Sequence, residues 1–98
     1  MAGRALLRPL ARADLNDIWQ YTEGRWGAAQ AASYVRALWR HIKAAASQPE
    51  LGRSCSEVRA DYRKLRSGSH VVFYRPVDGG IVVVRILHER MDFERHFD

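Results

Sequence analysis

The sequence predicts a single α+β domain in which two antiparallel helices pack on one face of a mostly antiparallel sheet. Three observations lead to this prediction. A short apolar segment opens the chain, two amphipathic stretches follow with a glycine break between them, and strand-like segments joined by tight turns fill the second half. The predicted order is strand, helix, helix, strand, strand, strand, then a short C-terminal tail or helix. Residues 1–98 are enough for one domain.

The first strand is predicted at Arg4–Arg8 and the first helix from Pro9 to Gly24. Pro9 suits the first helical position, where its missing N–H costs nothing. One face of the helix is apolar through spacings of three and four, and Asp14 is expected on the opposite, polar side. The apolar face consists of Ala11, Leu15, Ile18, Trp19 and Thr22.

The second helix is predicted at Ala28–Ala46, after a break at Gly27 that is short enough to form an antiparallel helical hairpin. Pro49 marks its end, because a helix rarely continues into the residue before proline. A separate basic stripe follows the same helical spacing, and this helix contains no acidic residue. The predicted apolar face is Ala28, Ala31, Val35, Leu38, Ile42 and Ala45, and the basic stripe is Arg36, Arg40 and Lys43.

The second half is predicted to form three antiparallel strands. Leu51–Glu57 is expected to be a loop, and Val58–Arg66 alternates well enough to be a strand. Ser69–Pro76 and Gly80–Glu89 are β-branched and aromatic runs, and the Asp-Gly pair between them is a strong hairpin signal. A short helix is expected in the tail, between Met91 and Phe97.

Composition and charge narrow the classes of function. The formal net charge is +5, and 14 of the 16 cationic residues are arginines. Arginine favours bidentate contact with carboxylates and phosphates, so the sequence predicts an acidic partner, either nucleic acid or an acidic peptide. The first 48 residues carry 7 basic and 3 acidic residues, and the remainder carries 9 and 8. Most of the excess charge therefore belongs to the predicted helices.

Other features bear on compartment and chemistry. No apolar run approaches the roughly 20 residues that span a bilayer, and the N-terminal apolar stretch is too short for a signal peptide. We therefore expect a cytoplasmic protein without membrane contact. Cys55 is the only cysteine, which excludes an intrachain disulfide and favours a structural thiol.

Enzyme signatures are sparse. The phosphate-binding loop, the HExxH zinc motif and paired cysteines are absent from the sequence, and the four histidines lack ligand spacing. We predict no metal, no cofactor and no catalytic residue. Metal-free RNA cleavage stays open, because it needs only an acid, a base and cations near a phosphate. The residue types for that chemistry are present at Arg63, Lys64, Arg66, Arg85, His88 and His96.

The aromatic residues are interpreted mainly as packing groups. Trp19 is expected in the core, Trp26 as a local plug between the helices, and Trp39 as half exposed beside the basic stripe. Phe73 is expected in the core of the sheet. Tyr74 should lie on the opposite face of its strand, because consecutive residues of a strand alternate in direction.

Several short segments, in a fixed order from Ala11 to Asp92, resemble the ParE-type toxins of the RelE/ParE toxin superfamily. The longest are YRKLRSGSHVVFYRP, at Tyr62–Pro76, and VVRILHERMD, at Val83–Asp92. The first helix also matches, and so do the RWG break, an Ala-rich second helix and a Pro-x-x-Gly connector. These further positions are Ala11, Asp14, Leu15, Ile18, Trp19, Tyr21, Arg25, Trp26, Gly27, Tyr34, Pro49, Leu51 and Gly52.

The resemblance implies the toxin component of a type II toxin–antitoxin system, of the kind that stabilises plasmids or chromosomes. It implies a ParD-like antitoxin whose acidic C-terminal segment wraps the toxin, first as a helix in a groove and then as an extended stretch near the sheet. It implies that the free toxin inhibits DNA gyrase without catalysing a reaction, and that it associates with DNA indirectly, through the antitoxin. A basic, arginine-rich surface agrees with an acidic peptide that folds on binding.

Under this reading, residues are assigned to two contacts. The residues expected to contact the antitoxin are Trp19, Tyr34, Arg36, Leu38, Trp39, Arg40, Arg63, Tyr74 and Arg85, the last three on or near an exposed sheet. The residues expected to engage gyrase are His88, Arg90, Met91, Phe93 and Phe97, because two aromatic residues and a methionine on an exposed terminal element are poorly explained by a core.

Two alternatives remain. One is a RelE-like, ribosome-dependent mRNA endoribonuclease, which shares the superfamily fold and would require Arg63, Arg85 and a late histidine to converge in one cleft. The other is a degenerate, non-toxic protein that only binds its antitoxin as part of a repressor.

Overall fold

A computed structural model describes residues 3–97 and contains one five-stranded mixed sheet with two helices. The predicted α+β order is confirmed, with one added short strand. Two short 3₁₀ helices occupy Pro49–Leu51 and Phe93–His96, the second within the predicted tail. The elements are β1 (Arg4–Leu7), α1 (Pro9–Trp26), α2 (Ala28–Ser47), β2 (Arg53–Ser54), β3 (Arg63–Ser67), β4 (His70–Val77) and β5 (Gly80–His88).

The strands lie side by side in the order β1-β5-β4-β3-β2. The last three strands form an antiparallel meander, as predicted, and β1 pairs with β5 in parallel. Val77 pairs with Gly80, which leaves a two-residue Asp78-Gly79 loop at the hairpin. The pairing of β1 stops at Leu7 opposite Val83. In the described part of the chain, the rest of β5 therefore has no strand neighbour on that side.

Helix α1 begins at Pro9, as predicted, and continues to Trp26, two residues beyond the predicted end. It stops there because Gly27 has φ of 93°, a conformation that breaks helical continuity and that glycine adopts without steric cost. The longer helix carries Trp26 outward, and its side chain is 64% exposed. The prediction of an interhelical plug was wrong; the guanidinium of Arg25 lies over the Trp26 ring instead, 5.9 Å from its centre.

Helix α2 buries the face that its spacing predicted. Ala31, Leu38, Ile42 and Ala45 are fully buried, and Ala46 joins them. Ala28, at the first helical position, is exposed, and Val35 is half-buried at the margin of the face. The small alanines let the helix approach the sheet closely, while Leu38 and Ile42 fill the space between the layers.

The apolar core has two parts, one on each face of the sheet. On the helix side, Ile18, Leu38 and Ile42 pack against Val72, Tyr74, Ile81, Val83 and Ile86. On the opposite side, Phe73, Val84 and Leu87 pack with Cys55 and Phe97. Phe73 is therefore a core residue, as predicted. The second face is covered by the loop before β3 and by the C-terminal segment, an arrangement that periodicity did not indicate.

The strand predicted at Val58–Arg66 was placed wrongly, because its first half forms turns. Val58 donates its backbone N–H to Cys55 O at 2.9 Å, and Tyr62 donates to Arg59 O at 3.2 Å. Asp61 has φ of 70°, which ends the extended conformation. These backbone groups are satisfied locally, so only Arg63–Ser67 joins the sheet.

Two absences concern the described part of the chain. Neither long helix is both long and apolar enough to cross a bilayer. Between residues 3 and 97, no three histidine, cysteine, aspartate or glutamate side chains cluster as metal ligands do.

Candidate partner-binding surfaces

An open groove lies between β1 and the outer sides of the two helices. Its volume is about 320 Å³. Trp19 of α1 and Trp39 of α2 are half-buried in its wall, beside Val35, and Leu6 of β1 is exposed at its margin. Trp19 is thus less enclosed than predicted, whereas Trp39 has the half exposure expected of it. The other lining residues are Ala5, Leu7, Arg12, Leu15 and Asn16.

The free edge of the sheet adjoins this groove. Within residues 3–97, β1 pairs with β5 on one side and with no strand on the other, so its outer edge is open to an added strand. The sequence predicted the strand but gave no sign that it lies at an edge. Edge position depends on the order of strands in space, which a single sequence does not encode locally.

Arg36 and Arg40 are exposed on α2. Each follows a groove residue, Val35 or Trp39, so each lies about 100° further around the helix and flanks the groove. Neither forms a salt bridge within residues 3–97. Leu38, which was expected to contact a partner, is fully buried against the sheet and is unavailable for direct contact.

Tyr34 fastens α2 to the turn between β3 and β4. Its hydroxyl lies 2.7 Å from His70 Nδ1 and accepts the backbone N–H of Ser69 at 2.9 Å. Nearby, His41 Nδ1 lies 2.6 Å from Ser67 Oγ. Gly68, at the turn, has φ of 59°, and a Cβ there would meet the Tyr34 ring. The first role of Tyr34 is therefore structural: its hydroxyl links α2 to the turn between β3 and β4. The spacing of residues along the sequence did not indicate this link.

The environment of His70 favours its neutral form. Burial lowers the pKa of His70 below its ordinary value of 6.5, and the neighbouring His88 lowers it further, while Asp14 and Glu89 oppose the shift. The two imidazole rings meet edge to face with centres 5.3 Å apart. His88 is half-buried, so only part of it faces solvent.

Tyr74 does not lie on an exposed sheet, as was predicted; it is fully buried beneath the helices. Its hydroxyl donates to Pro49 O and accepts the N–H of Gly52, both at 2.7 Å. Burial raises the pKa of Tyr74. Arg63 lies at the same corner and donates from Nη1 to Gly52 O at 2.5 Å. These bonds fix the loop after α2, so Tyr74 is a core residue and Arg63 is half-buried.

Arg85 was expected on an exposed sheet, but it is half-buried and paired with Asp14. Its guanidinium donates to both carboxylate oxygens of Asp14, at 2.7 and 2.8 Å. The hydrogen bond from Asp14 raises the pKa of Arg85, although burial opposes the shift. Asp14 itself was predicted on the polar face of α1 and instead points at the sheet. The pair is 71 positions apart in sequence, and no local pattern links its members.

The C-terminal segment is less exposed than predicted. Phe97 is only 7% exposed, and its ring meets that of Phe73 at a centre-to-centre distance of 4.9 Å. Phe93 is half-buried against Phe73 at 4.8 Å. The core therefore explains both aromatic residues. Arg90 and Met91 are exposed, and Met91 and His88 line an apolar hollow of about 320 Å³. The other residues of this hollow are Asp14, Asp17, Ile18, Tyr21, His70 and Ile86.

Cys55 is buried, and burial raises the pKa of its thiol, which agrees with a structural role.

The endoribonuclease alternative required Arg63, Arg85 and a late histidine in one cleft, and the structure divides these residues between two hollows. Arg85 and His96 line one hollow, and Arg63 lines another. The guanidinium of Arg85 is engaged by the carboxylate of Asp14, which lowers its capacity to stabilise a second anion.

Comparison with known proteins gives consistent results. A family model described as the ParE toxin of the type II toxin–antitoxin system parDE matches residues 5–93. Toxin ParE1 of Mycobacterium tuberculosis is 50% identical over 97 residues, which is 98% of this chain and 99% of that protein. Toxin ParE1 of Caulobacter vibrioides is 48% identical over 86 residues, 88% of each chain. Toxin ParE of Escherichia coli is 40% identical over 88 residues, 89% of this chain and 85% of that protein.

A solved structure, described as the chromosomal ParDE TA system from P. aeruginosa, contains a chain with the same fold. The TM-score is 0.74 at 18% identity, and the alignment covers 88% of this chain and 95% of that one. The fold, the family model and the 50% identity over nearly the full length agree: the chain belongs to the family of ParE toxins of type II toxin–antitoxin systems.

Proposed function

We propose that this toxin, when free, inhibits DNA gyrase by binding and without catalysing a reaction, and that a ParD-like antitoxin with an acidic C-terminal segment neutralises it in the cytoplasm. The groove between β1 and the helices is the observation that supports the antitoxin half of this proposal. It combines two half-buried tryptophans, Trp19 and Trp39, with an unpaired strand edge and two flanking arginines.

The groove suits a helix followed by an extended segment. Apolar side chains of a partner helix bind a groove at spacings of three and four, and tryptophan is a frequent energetic centre of such contacts. Arg36 and Arg40 attract acidic side chains along the margin of the groove. We assign the extended part of the antitoxin to the outer edge of β1, where backbone hydrogen bonds can continue the sheet. We no longer assign three residues to this interface, since Tyr74 and Leu38 are buried and Arg85 is paired with Asp14. For Tyr34 and Arg63, only the exposed part of the side chain is assigned to it.

Charge reversal tests the antitoxin site. The purified product of the adjacent reading frame, with its acidic C-terminal half, is titrated into the toxin by calorimetry. Arg36→Glu combined with Arg40→Glu is expected to raise the Kd at least tenfold, because repulsion replaces attraction at the groove margin. The control, Arg25→Glu with Arg53→Glu, changes the net charge equally at exposed positions away from the groove. An unchanged Kd for the first pair would remove these arginines from the interface.

For gyrase, we propose a smaller contact than the sequence suggested, consisting of Arg90, Met91 and the exposed part of His88. These residues surround or adjoin the apolar hollow beside Tyr21. We no longer assign Phe93 and Phe97 to the gyrase contact, because both rings pack on Phe73.

A supercoiling assay tests the target. Purified toxin is added to bacterial gyrase, relaxed plasmid and ATP, with and without antitoxin. The expected result is loss of supercoiling, or accumulation of cleaved plasmid, reversed by antitoxin. Arg90→Glu with Met91→Ala is expected to weaken inhibition at least tenfold while antitoxin affinity is kept. Full supercoiling at a large excess of folded toxin would contradict the gyrase proposal, and cleavage of ribosome-bound mRNA would then support the endoribonuclease alternative.

A further inference from the structure

Two hollows adjoin on the side of the molecule that carries Phe73 and Phe97, and Tyr62 lines both of them. The first, of about 380 Å³, lies between the start of α1, β5 and the C-terminal segment. The second, of about 580 Å³, lies between the loop that precedes β3 and the end of β4. We call the surface that carries these two separate hollows the arginine groove. Its basic residues are Arg8, Arg59, Arg63, Arg75 and Arg85, with His96 beside them.

Three of the five arginines of the arginine groove are free of ion pairs among residues 3–97, whereas Arg59 shares a neighbouring hollow with Glu57 and Glu94. Arg8, Arg63 and Arg75 have no carboxylate within 4.0 Å in the part of the chain from residue 3 to 97. Arg85 is neutralised by Asp14. Among the residues that the structure describes, Asp61 is the one acidic residue that lines the two hollows. The sequence suggested that positive charge collects on the helices, but folding brings Arg8 beside arginines from the second half and produces a second basic surface.

Backbone carbonyls hold two of these guanidinium groups without cancelling their charge. Arg63 donates to Gly52 O at 2.5 Å, and Arg59 donates to Val58 O at 3.1 Å and also to Phe97 O. Both side chains are therefore oriented, and the charge of Arg63 remains available to an anion. The start of α1 lies in the same wall, and its first turn has neither a side-chain cap nor an acidic residue. The helix dipole therefore adds to the positive potential.

The residues of the arginine groove suit binding of an anion and not stacking of a nucleic-acid base. Tyr62, its one aromatic wall residue other than Phe97, is half-buried, and its ring meets that of Phe97 edge to face at 5.8 Å. Single-stranded nucleic acids gain much of their affinity from stacking on free aromatic faces. A duplex instead presents a rigid row of phosphodiesters, which guanidinium groups bind in bidentate fashion. We propose that the arginine groove binds the phosphate backbone of duplex DNA directly.

The inference that the groove binds duplex DNA is independent of the proposed function; only the identity of the duplex, DNA held by gyrase, rests on it. If the toxin acts on gyrase, the segment of DNA held by the enzyme is the ligand, and the groove would add a contact with DNA to the contact with protein. This differs from an association with DNA that passes through the antitoxin alone.

The test uses the full-length toxin and a fluorescein-labelled 20-bp DNA duplex, followed by anisotropy between 50 and 200 mM salt. Arg8→Gln with Arg75→Gln is expected to raise the Kd at least tenfold and to reduce the slope of log K against log salt by about 2, since each lost phosphate contact removes about 0.9. The matched control, Arg25→Gln with Lys43→Gln, removes the same net charge from the helices and should change the Kd less than twofold. Circular dichroism and urea unfolding establish that both variants are folded.

Three outcomes would overturn the inference, and a fourth would support it while contradicting the proposed target. Equal weakening by both pairs would show diffuse attraction by net charge and no groove. Tighter binding of a single-stranded RNA of equal length would contradict the assignment to duplex DNA. Unchanged DNA binding by Arg8→Gln with Arg75→Gln, together with weaker antitoxin binding, would make the groove a part of the antitoxin interface. DNA binding that depends on the groove, without inhibition of gyrase, would support the groove and contradict the proposed target alone.

Discussion

The carboxylate of Asp14 replaces a missing strand beside β5. It accepts two hydrogen bonds from Arg85 and, through Oδ2, a third from the backbone N–H of Ile86 at 2.9 Å. Strand β1 ends opposite Val83, so the N–H of Ile86 lies beyond its reach. The side chains of Asp14 and Arg85 are 12% and 15% exposed. One acidic residue of α1 thus satisfies a backbone donor, holds an arginine and fixes the helix to the sheet.

Replacement of Asp14 should therefore destabilise the fold strongly. We expect Asp14→Ala to lower the free energy of unfolding by about 3 kcal/mol, because it leaves a mostly buried guanidinium and a backbone N–H without their acceptor. Urea unfolding followed by circular dichroism measures the change. Asp17→Ala, an exposed neighbour on the same helix, is the control and should cost less than about 0.5 kcal/mol.

A double-mutant cycle separates the ion pair from general damage. Removal of Arg85 as well, as Arg85→Met, should cost less than the sum of the two single changes, because the second substitution removes the unpaired charge. Additive effects would mean that Asp14 stabilises the fold through Ile86 alone.

The hydroxyl of Tyr34 should contribute measurably to stability. Tyr34→Phe keeps the ring but removes the bonds to His70 and Ser69, and we expect a cost of about 1–2 kcal/mol in urea unfolding. Tyr21→Phe is the matched control, since the Tyr21 side chain is 66% exposed, and it should be neutral within about 0.5 kcal/mol. Equal effects of the two substitutions would contradict the structural bond at Tyr34.

His70 should make stability depend on pH in the mildly acidic range. Its pKa is lowered by folding, so the unfolded chain binds the proton more readily than the native protein does. The stabilisation is fully present above the unfolded pKa of about 6.5 and is lost as pH falls below it. We expect the free energy of unfolding to decrease from about pH 7.5 to 5.5, with a slope of at most about 1.4 kcal/mol per pH unit.

The variant His70→Gln isolates that contribution. It is expected to be less stable at neutral pH but to show a flatter profile over the same range, and the slope, not the absolute stability, is the relevant readout. Identical slopes for the two proteins would show that His70 does not carry the pH dependence.

The aromatic residues of the C-terminal segment should act on stability. Phe97→Ala is expected to lower the free energy of unfolding by about 3 kcal/mol, because it removes a buried ring from the cluster with Phe73 and Tyr62. Met91→Ala, at a position that is 45% exposed, should cost less than about 1 kcal/mol. Deletion of the whole segment would therefore mix loss of the core with loss of any contact to gyrase. An unchanged free energy of unfolding for Phe97→Ala would contradict the placement of Phe97 in the core.

Much of the fold was predictable because the relevant signals are local. Spacings of three and four defined both helices, and glycine, proline and the Asp-Gly loop marked where elements end. The strand predicted from Val58 failed for the same reason: alternation of residue types resembles a strand even where the backbone closes turns on itself. The family, too, could be identified from short segments in order, and the comparisons confirm it.

The sequence by itself determined the class of fold, the order of its elements and the family, because periodicity, turn residues and motifs act over short distances along the chain. The tertiary structure decided which polar side chains remain free. Asp14 and Arg85 neutralise each other across 71 positions, Tyr74 bonds to the loop after α2, and Phe97 closes the second core. Each outcome depends on elements that meet only after folding, where burial makes an unpaired charge or an unsatisfied donor costly.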